Sequence, residues 1–162
     1  MDQTDTIIIG RAERIDLPNQ GVYKVPAKTD TGADSSSIWA TGISETSEGL
    51  TFALFGPGSE FYTGEKLEFG AGEYEVTRVA NSFGVREFRY KVKLTVRVRG
   101  RVVNGSFTLA DRSAKTYPIL LGRSLLRGKF VVDVTEGKPL RREEREKQEQ
   151  LEQELRKMGN KE

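Results

Sequence analysis

In the run Ala27-Lys28-Thr29-Asp30-Thr31-Gly32-Ala33-Asp34-Ser35-Ser36-Ser37-Ile38, a single acid is set among small and hydroxyl-bearing neighbours. Thr31 follows Asp30 with a hydroxyl, Gly32 has no side chain and Ala33 only a methyl, so the backbone can fold closely past the carboxylate. Such a stretch suits a tight turn that presents Asp30 and surrounds it with hydrogen-bond donors. A carboxylate held there can do acid-base chemistry, but Asp-Thr-Gly triplets also occur in ordinary loops, and the rest of the chain must decide. The absence of His and Cys narrows the chemistry. Ser-His and Cys-His catalysis, disulfides and thiolate or histidine metal sites are excluded, leaving carboxylates, hydroxyls, Lys, Arg and Tyr as the actors.

A chain of 162 residues is the size of one domain with a buried core and an appendage. Its charged content of 31% and mean hydropathy of -0.54 describe a soluble protein, while 26 basic against 24 acidic residues name no partner. The N-terminal Met1-Asp2-Gln3-Thr4-Asp5 is acidic, and no apolar run reaches membrane-spanning length. The expectation is a cytoplasmic protein with no membrane contact.

The elements that must hold Asp30 are strands. Thr6 to Leu17 reads as one strand, ended by Leu17-Pro18-Asn19-Gln20-Gly21, and Val22 to Thr29 as a second that delivers the chain to Asp30. Ser35 to Ile43, with Trp39 half buried, and Leu50 to Phe55 flank a polar connection from Ser44 to Gly49. After the Gly56-Pro57-Gly58-Ser59 break, Lys66 to Phe69 and Tyr74 to Val79 read as a pair around Gly70-Ala71-Gly72. Asn81-Ser82-Phe83-Gly84 forms another turn. Ser106 to Ala110 is a further strand after a Val103-Asn104-Gly105 turn, and Tyr117 to Arg123 a short apolar one buried on both faces. A single helical turn at Ser124 to Arg127 precedes the last strand, Lys129 to Val134.

Between Glu87 and Val103 apolar residues alternate with basic ones. Phe88, Tyr90, Val92, Leu94, Val96 and Val98 share one face, and Arg89, Lys91, Lys93, Arg97, Arg99 and Arg101 share the other. The basic face is either a solvated outer surface or a stripe that attracts an acidic substrate or nucleic acid. No aromatic residue interleaves with it, which argues against a base-stacking platform. From Glu136 the vocabulary becomes Arg, Glu, Lys and Gln, that of a helix, with Leu151, Leu155 and Met158 on one narrow stripe. That helix either lies solvated against the domain or pairs with its copy. Residues 1-135 are thus expected to form the domain and 136-162 a charged helical tail.

The Asp-Thr-Gly-Ala-Asp turn at Asp30 to Asp34, followed much later by Ile119-Leu120-Leu121-Gly122-Arg123-Ser124-Leu125-Leu126, resembles the retropepsin-like aspartic peptidases. Further matching words are Lys28 to Ala33, Asn81-Ser82 with Gly84-Val85, Phe107 to Ser113 and Tyr117 to Asp133. They are similar to a bacterial and archaeal branch called RimB-like, or ATP-dependent zinc protease, whose members occur with ligases that add glutamate to proteins. The resemblance implies an all-β, closed retropepsin-like (acid protease) barrel with one short helical turn before the last strand, plus a charged C-terminal helix. It also implies a homodimer in which each subunit contributes one catalytic loop.

Aspartic peptide hydrolysis asks for the same arrangement, because two carboxylates must share a proton and this chain has one Asp-Thr-Gly. Asp30 would meet its symmetry copy, Thr31 brace the loop and Gly32 permit close approach. Ala33, Asp34, Arg86 and Arg89 would contact a protein or peptide substrate, acidic or glutamate-tailed, and Leu120, Leu121, Gly122 and Arg123 would support the turn. The flap is either the Gly56 to Gly64 loop or the Asn81 to Arg86 turn, and Arg86 and Arg89 are either substrate contacts or plain surface residues. Trp39 stands where relatives often carry His, and without His or Cys the zinc of the branch's label lacks ligands, so neither metal nor cofactor is expected. The alternatives are a catalytically silent binding or scaffolding module on the same fold and, less favoured, nucleic-acid binding through the basic face.

Overall fold

The computed structural model describes residues 5–80 and 83–160. Where one strand was expected from Thr6 to Leu17 there are two, β1 (Ile7–Ile9) and β2 (Ala12–Leu17). The chain breaks at Gly10-Arg11, where the Gly10 N–H donates to the Glu13 carboxylate at 2.8 Å and the Arg11 carbonyl accepts from the Thr29 N–H at 3.0 Å. A single 3-10 turn at Pro18–Gln20 leads into β3 (Val22–Thr29), as the Pro-Asn-Gln-Gly run predicts. β4 (Ser36–Thr46) runs beyond Ile43 before turning into β5 (Gly49–Leu54).

β6 (Lys66–Gly70) and β7 (Glu75–Ala80) do not pair with each other around Gly70-Ala71-Gly72. β6 lies on β5, where Phe69 stacks on Phe52 with ring centroids 5.6 Å apart, and β7 lies on β8 (Arg86–Val98). β9 (Arg101–Ala110) follows a turn at Arg99-Gly100, both left-handed at φ 49° and 79°, the backbone that suits a two-residue hairpin. The expected turn at Val103-Asn104-Gly105 is instead mid-strand. Gly105 is there for close packing, since a Cβ would fall 2.6 Å from Leu125 Cδ1. β10 (Ile119–Leu121), α1 (Arg123–Leu126) and β11 (Phe130–Val132) follow, and then α2 (Arg141–Gly159).

The strand pairings run β10-β3-β2-β8-β9-β4, and β4 pairs again with β10, so these strands form a ring. β1 and β11 make a separate parallel pair. Inside the ring Ile15, Val25, Ala27, Ile38, Phe107, Ile119 and Leu121 are fully buried. Val92, Leu94, Val96 and Val98 point inward as their alternation predicts, whereas Phe88 at the outer end of β8 is exposed. Leu120 is only half buried, so β10 is not covered on both faces.

Helix α2 buries no side chain, and Leu151, Leu155 and Met158 are exposed. Its first turns are tied down by polar contacts. Arg11 makes a two-pronged bond to Glu144 at 2.8 and 2.9 Å, and the Tyr117 hydroxyl donates to Glu144 at 3.1 Å while accepting from the Leu140 N–H at 2.8 Å. Among the described residues no helix is long and apolar enough to cross a membrane.

Candidate active site

Asp30 leaves the end of β3, and its position is set by backbone. β10 runs parallel to β3 with Leu121 opposite Thr29, which lets the Asp30 N–H donate to the Leu121 carbonyl at 2.8 Å. The chain then turns. Gly32 N–H donates to Asp30 Oδ1 at 3.0 Å and Ala33 N–H to the Asp30 carbonyl at 3.2 Å, so the carboxylate sits inside its own turn. The start of α1 grips the far side: the Arg123 N–H donates to the Ala33 carbonyl at 2.8 Å, Arg123 Nη1 to the Thr31 carbonyl at 3.0 Å, and Ser124 Oγ to the Asp34 carbonyl at 2.8 Å.

Gly122 joins the two halves. Its N–H donates to Ser36 Oγ at 3.0 Å, and a Cβ there would fall 2.5 Å from the Ser35 carbonyl oxygen. Leu121, Gly122 and Arg123 therefore touch the turn directly, while Leu120 lines the space in front of it. That space is a cleft of about 850 Å³ reached by Asp30, Gly32, Ala33 and Asp34. Thr77 to Ala80 on β7 and Glu87, Arg89 and Lys91 on β8 form its opposite side. The Gly56 to Gly64 loop lies elsewhere, with Gly56 against the Trp39 ring and Ser59 to Phe61 beside a different cavity.

The cleft is basic. Arg89 is held by Glu87 at 2.6 Å, and Lys91, two residues along the same strand face, also reaches the cleft. Arg112 comes from the segment after β9, its Nε donating to the Tyr117 carbonyl at 2.9 Å. Burial first, and then the nearby Arg89 charge, lowers the Arg112 pKa from its usual value, and the Asp30 carboxylate opposes them. Asp111 also lines the cleft, but hydrogen bonds from the Ser113 side chain and N–H hold its carboxyl below the usual carboxylate range.

Of the residues singled out in the sequence, the cleft brings together Asp30, Gly32, Ala33, Asp34, Arg89 and Leu120. Thr31 faces away toward a smaller cavity with Arg123, Leu126, Phe130 and Val132, and Arg86 is exposed at the start of β8 and does not line the cleft. Asn81 and Ser82 lie outside the described residues. Lys91, Arg112 and Lys115 were not singled out as site residues, yet they line it. Lys91 was visible as part of the basic face, and Arg112 as part of the Phe107 to Ser113 word. Neither pattern says which residues share a cleft. Among the described residues no group of three or more Asp or Glu side chains is placed to hold a metal ion.

Comparison with known proteins gives a consistent picture. Residues 8–144 match the family model described as RimB-like, retropepsin-like aspartic endopeptidase RimB. A probable alpha-L-glutamate ligase of Desulfotalea psychrophila is 27% identical over 136 residues, covering 78% of this chain and 28% of that protein. One of Shewanella pealeana is 29% identical, with coverage of 80% and 29%. The chain thus spans under a third of the length of these curated relatives. A Legionella pneumophila protein of unknown function has a crystal structure that superposes with a TM-score of 0.61 at 27% identity, over 82% of this chain and 97% of that one. On the match across residues 8–144, the chain belongs to the RimB-like family of retropepsin-like aspartic endopeptidases.

Proposed function

We propose that this chain is an aspartic endopeptidase whose ring of strands is the retropepsin barrel and whose active form is a homodimer. The observation that carries this reading is Asp30, locked by Leu121 and Gly32 at the edge of a basic cleft large enough for an extended peptide. In the dimer Asp30 and its symmetry copy share one proton. The ionised acid takes a proton from water as the water oxygen bonds to the scissile carbonyl carbon. The protonated acid hydrogen-bonds to the carbonyl oxygen, and proton transfer to the amide nitrogen lets the C–N bond break.

Surface chemistry supports a partner on the Thr31 side. Ile8 and Val131 are exposed on the β1–β11 pair and Val134 in the turn just after it, and Leu126, Phe130 and Val132 line the cavity beside Thr31. On the other side, β7 and β8 overhang the cleft and act as the flap. Arg89, Lys91 and Arg112 favour an acidic substrate, and glutamate-tailed proteins fit both that charge and the ligase names of the relatives. A Cys-free chain suits a reducing cytoplasm.

The second reading is a silent binding module, favoured by the fact that the matched region is a minor part of chains named as ligases. Incubation of wild type and Asp30→Asn with acidic and neutral peptides, read by mass spectrometry beside sedimentation of both proteins, separates the two. The peptidase reading expects cleavage by the wild type and a loss of about 100-fold or more in the variant, with fold and dimer kept. Equal rates, or a strictly monomeric active species, overturn it. A folded dimer that cleaves nothing at acidic or neutral pH leaves the silent module.

A further inference from the structure

The cleft does not end at Asp30. Arg112, Lys115 and Leu120 also line a second groove of about 520 Å³, bounded on its outer side by the first turns of α2. Tyr117, Leu120 and Leu151 give this groove an apolar wall, and Lys28, Lys115 and Lys147 surround it with ammonium groups. Its one acid, Glu144, is already engaged by Arg11 and Tyr117. Lys147 Nζ donates to the Ala114 carbonyl at 3.0 Å, which pins the helix to the 112–117 segment. The side chains of Lys28 and Lys115 make no hydrogen bond or ion pair among the described residues.

We infer that α2 is a specificity element, forming with the 112–120 segment a peptide-binding extension of the cleft that holds acidic residues distal to the scissile bond. Charge complementarity names the occupant. Three lysines around an apolar strip, with the one carboxylate already neutralised, favour an extended chain bearing several carboxylates over a neutral or basic one. The helix needs no buried face for this role, because Arg11, Tyr117 and Ala114 fix its first turns by polar bonds. The inference rests on reading the cleft as a peptide site but not on turnover.

The test uses the full chain carrying Asp30→Asn, with fluorescein-labelled triglutamate and hexaglutamate peptides followed by anisotropy at low salt. The parent is expected to bind the hexamer more tightly than the trimer. In Lys28→Glu/Lys147→Glu the hexamer affinity falls about tenfold and the advantage of length disappears. Lys28→Ala/Lys115→Ala, which introduces no new charge and keeps the Lys147 bond to Ala114, is expected to give a smaller loss of the same sign and guards against a folding defect in the reversal variant. Unchanged hexamer affinity in both double variants overturns the inference, as does equal affinity for an oligothymidylate of matched charge, which would mark a general polyanion surface. If the Asp30-intact chain fails to cleave hexaglutamate while affinity still depends on Lys28 and Lys147, the groove stands and the peptidase reading falls. Cleavage with affinity indifferent to both lysines gives the reverse.

Discussion

Replacing Gly122 by alanine should separate the support of the Asp30 turn from the stability of the fold. The added Cβ would lie 2.5 Å from the Ser35 carbonyl oxygen, 2.6 Å from its carbon and 3.0 Å from the Ala33 oxygen, all backbone atoms. Ordinary contact begins near 3.4 Å, so the Ser35 peptide must retreat by about 0.9 Å. A retreat of that size breaks the 3.0 Å bond from Gly122 N–H to Ser36 Oγ or the 2.8 Å bond from Arg123 N–H to the Ala33 carbonyl. Overpacking at about 2 kcal/mol plus one hydrogen bond at about 1 kcal/mol gives a loss of about 3 kcal/mol. Taken from a domain's stability of roughly 5–15 kcal/mol, that leaves about 2–12 kcal/mol, so the protein still folds. With a urea slope of about 2 kcal/mol/M the midpoint falls by about 1.5 M. Gly128→Ala is the control. Gly128 has φ 74° with nothing within 4 Å of a Cβ, so alanine there meets only backbone strain of about 1 kcal/mol. Because the shift at Gly122 is transmitted to the Asp30 turn, peptide cleavage should fall by about 100-fold in Gly122→Ala and stay near wild type in Gly128→Ala. Equal midpoints for the two variants would refute the steric reasoning.

Two further outcomes follow from the polar contacts. Glu13 is buried on β2 and accepts from Arg99 at 2.7 and 3.2 Å and from Gly10 N–H at 2.8 Å. Since Arg99 is itself partly exposed, Glu13→Ala should cost about 2 kcal/mol, below the range for fully buried pairs, and a urea midpoint unchanged from wild type would contradict it. Glu144 has its pKa held below the usual carboxylate range, chiefly by the Arg11 hydrogen bond. A depressed folded pKa means that this contribution is complete above the unfolded value of about 4.3 and is lost as pH falls through the lower folded value. Exchange protection of the Leu140 amide, bonded to the Tyr117 hydroxyl, should therefore decline in the wild type as pH falls below about 4. In Glu144→Gln protection should already be about fivefold lower at neutral pH, as befits a screened surface pair worth about 1 kcal/mol. Equal protection of the two proteins at neutral pH would contradict the assignment.

Much of this architecture is legible in the chain because the signals are local. The Asp30 turn, the single turn of α1, the Gly and Pro breaks and the charged vocabulary of α2 depend on residues adjacent in sequence. The misreadings arise where distant contacts override a local signal. Asn104-Gly105 looks like a hairpin turn, but Gly105 is required where Leu125 packs against β9, and Arg99-Gly100 takes the turn instead. Gly70-Ala71-Gly72 looks like a hairpin too, yet β6 finds β5 and β7 finds β8. The basic face of β8 shows the limit most clearly. Alternation puts Arg89, Lys91, Arg97 and Arg99 on one side or beside it, but only long-range register sends Arg89 and Lys91 to the cleft, Arg97 to Asp16 at 3.3 Å and Arg99 to Glu13. The stripe is therefore neither wholly solvated nor wholly a binding surface.

The cleft of one chain also bears on which acid could complete a dyad with Asp30. A second carboxyl must be able to carry a proton while its neighbour is ionised. Asp111 is poorly suited, because Ser113 stabilises its ionised form. Glu87 is already committed to an ion pair with Arg89 at 2.6 Å. Asp34 lines the cleft, but its backbone carbonyl is pinned by both the N–H and the Oγ of Ser124, holding its stretch of chain against α1 instead of over Asp30. A shared proton demands a second carboxyl near contact with Asp30, where the repulsion between two carboxylates acts directly. An identical acid on an identical turn, brought in by a twofold axis on the exposed Thr31 and Gly32 side, meets that demand with no further residue from this chain.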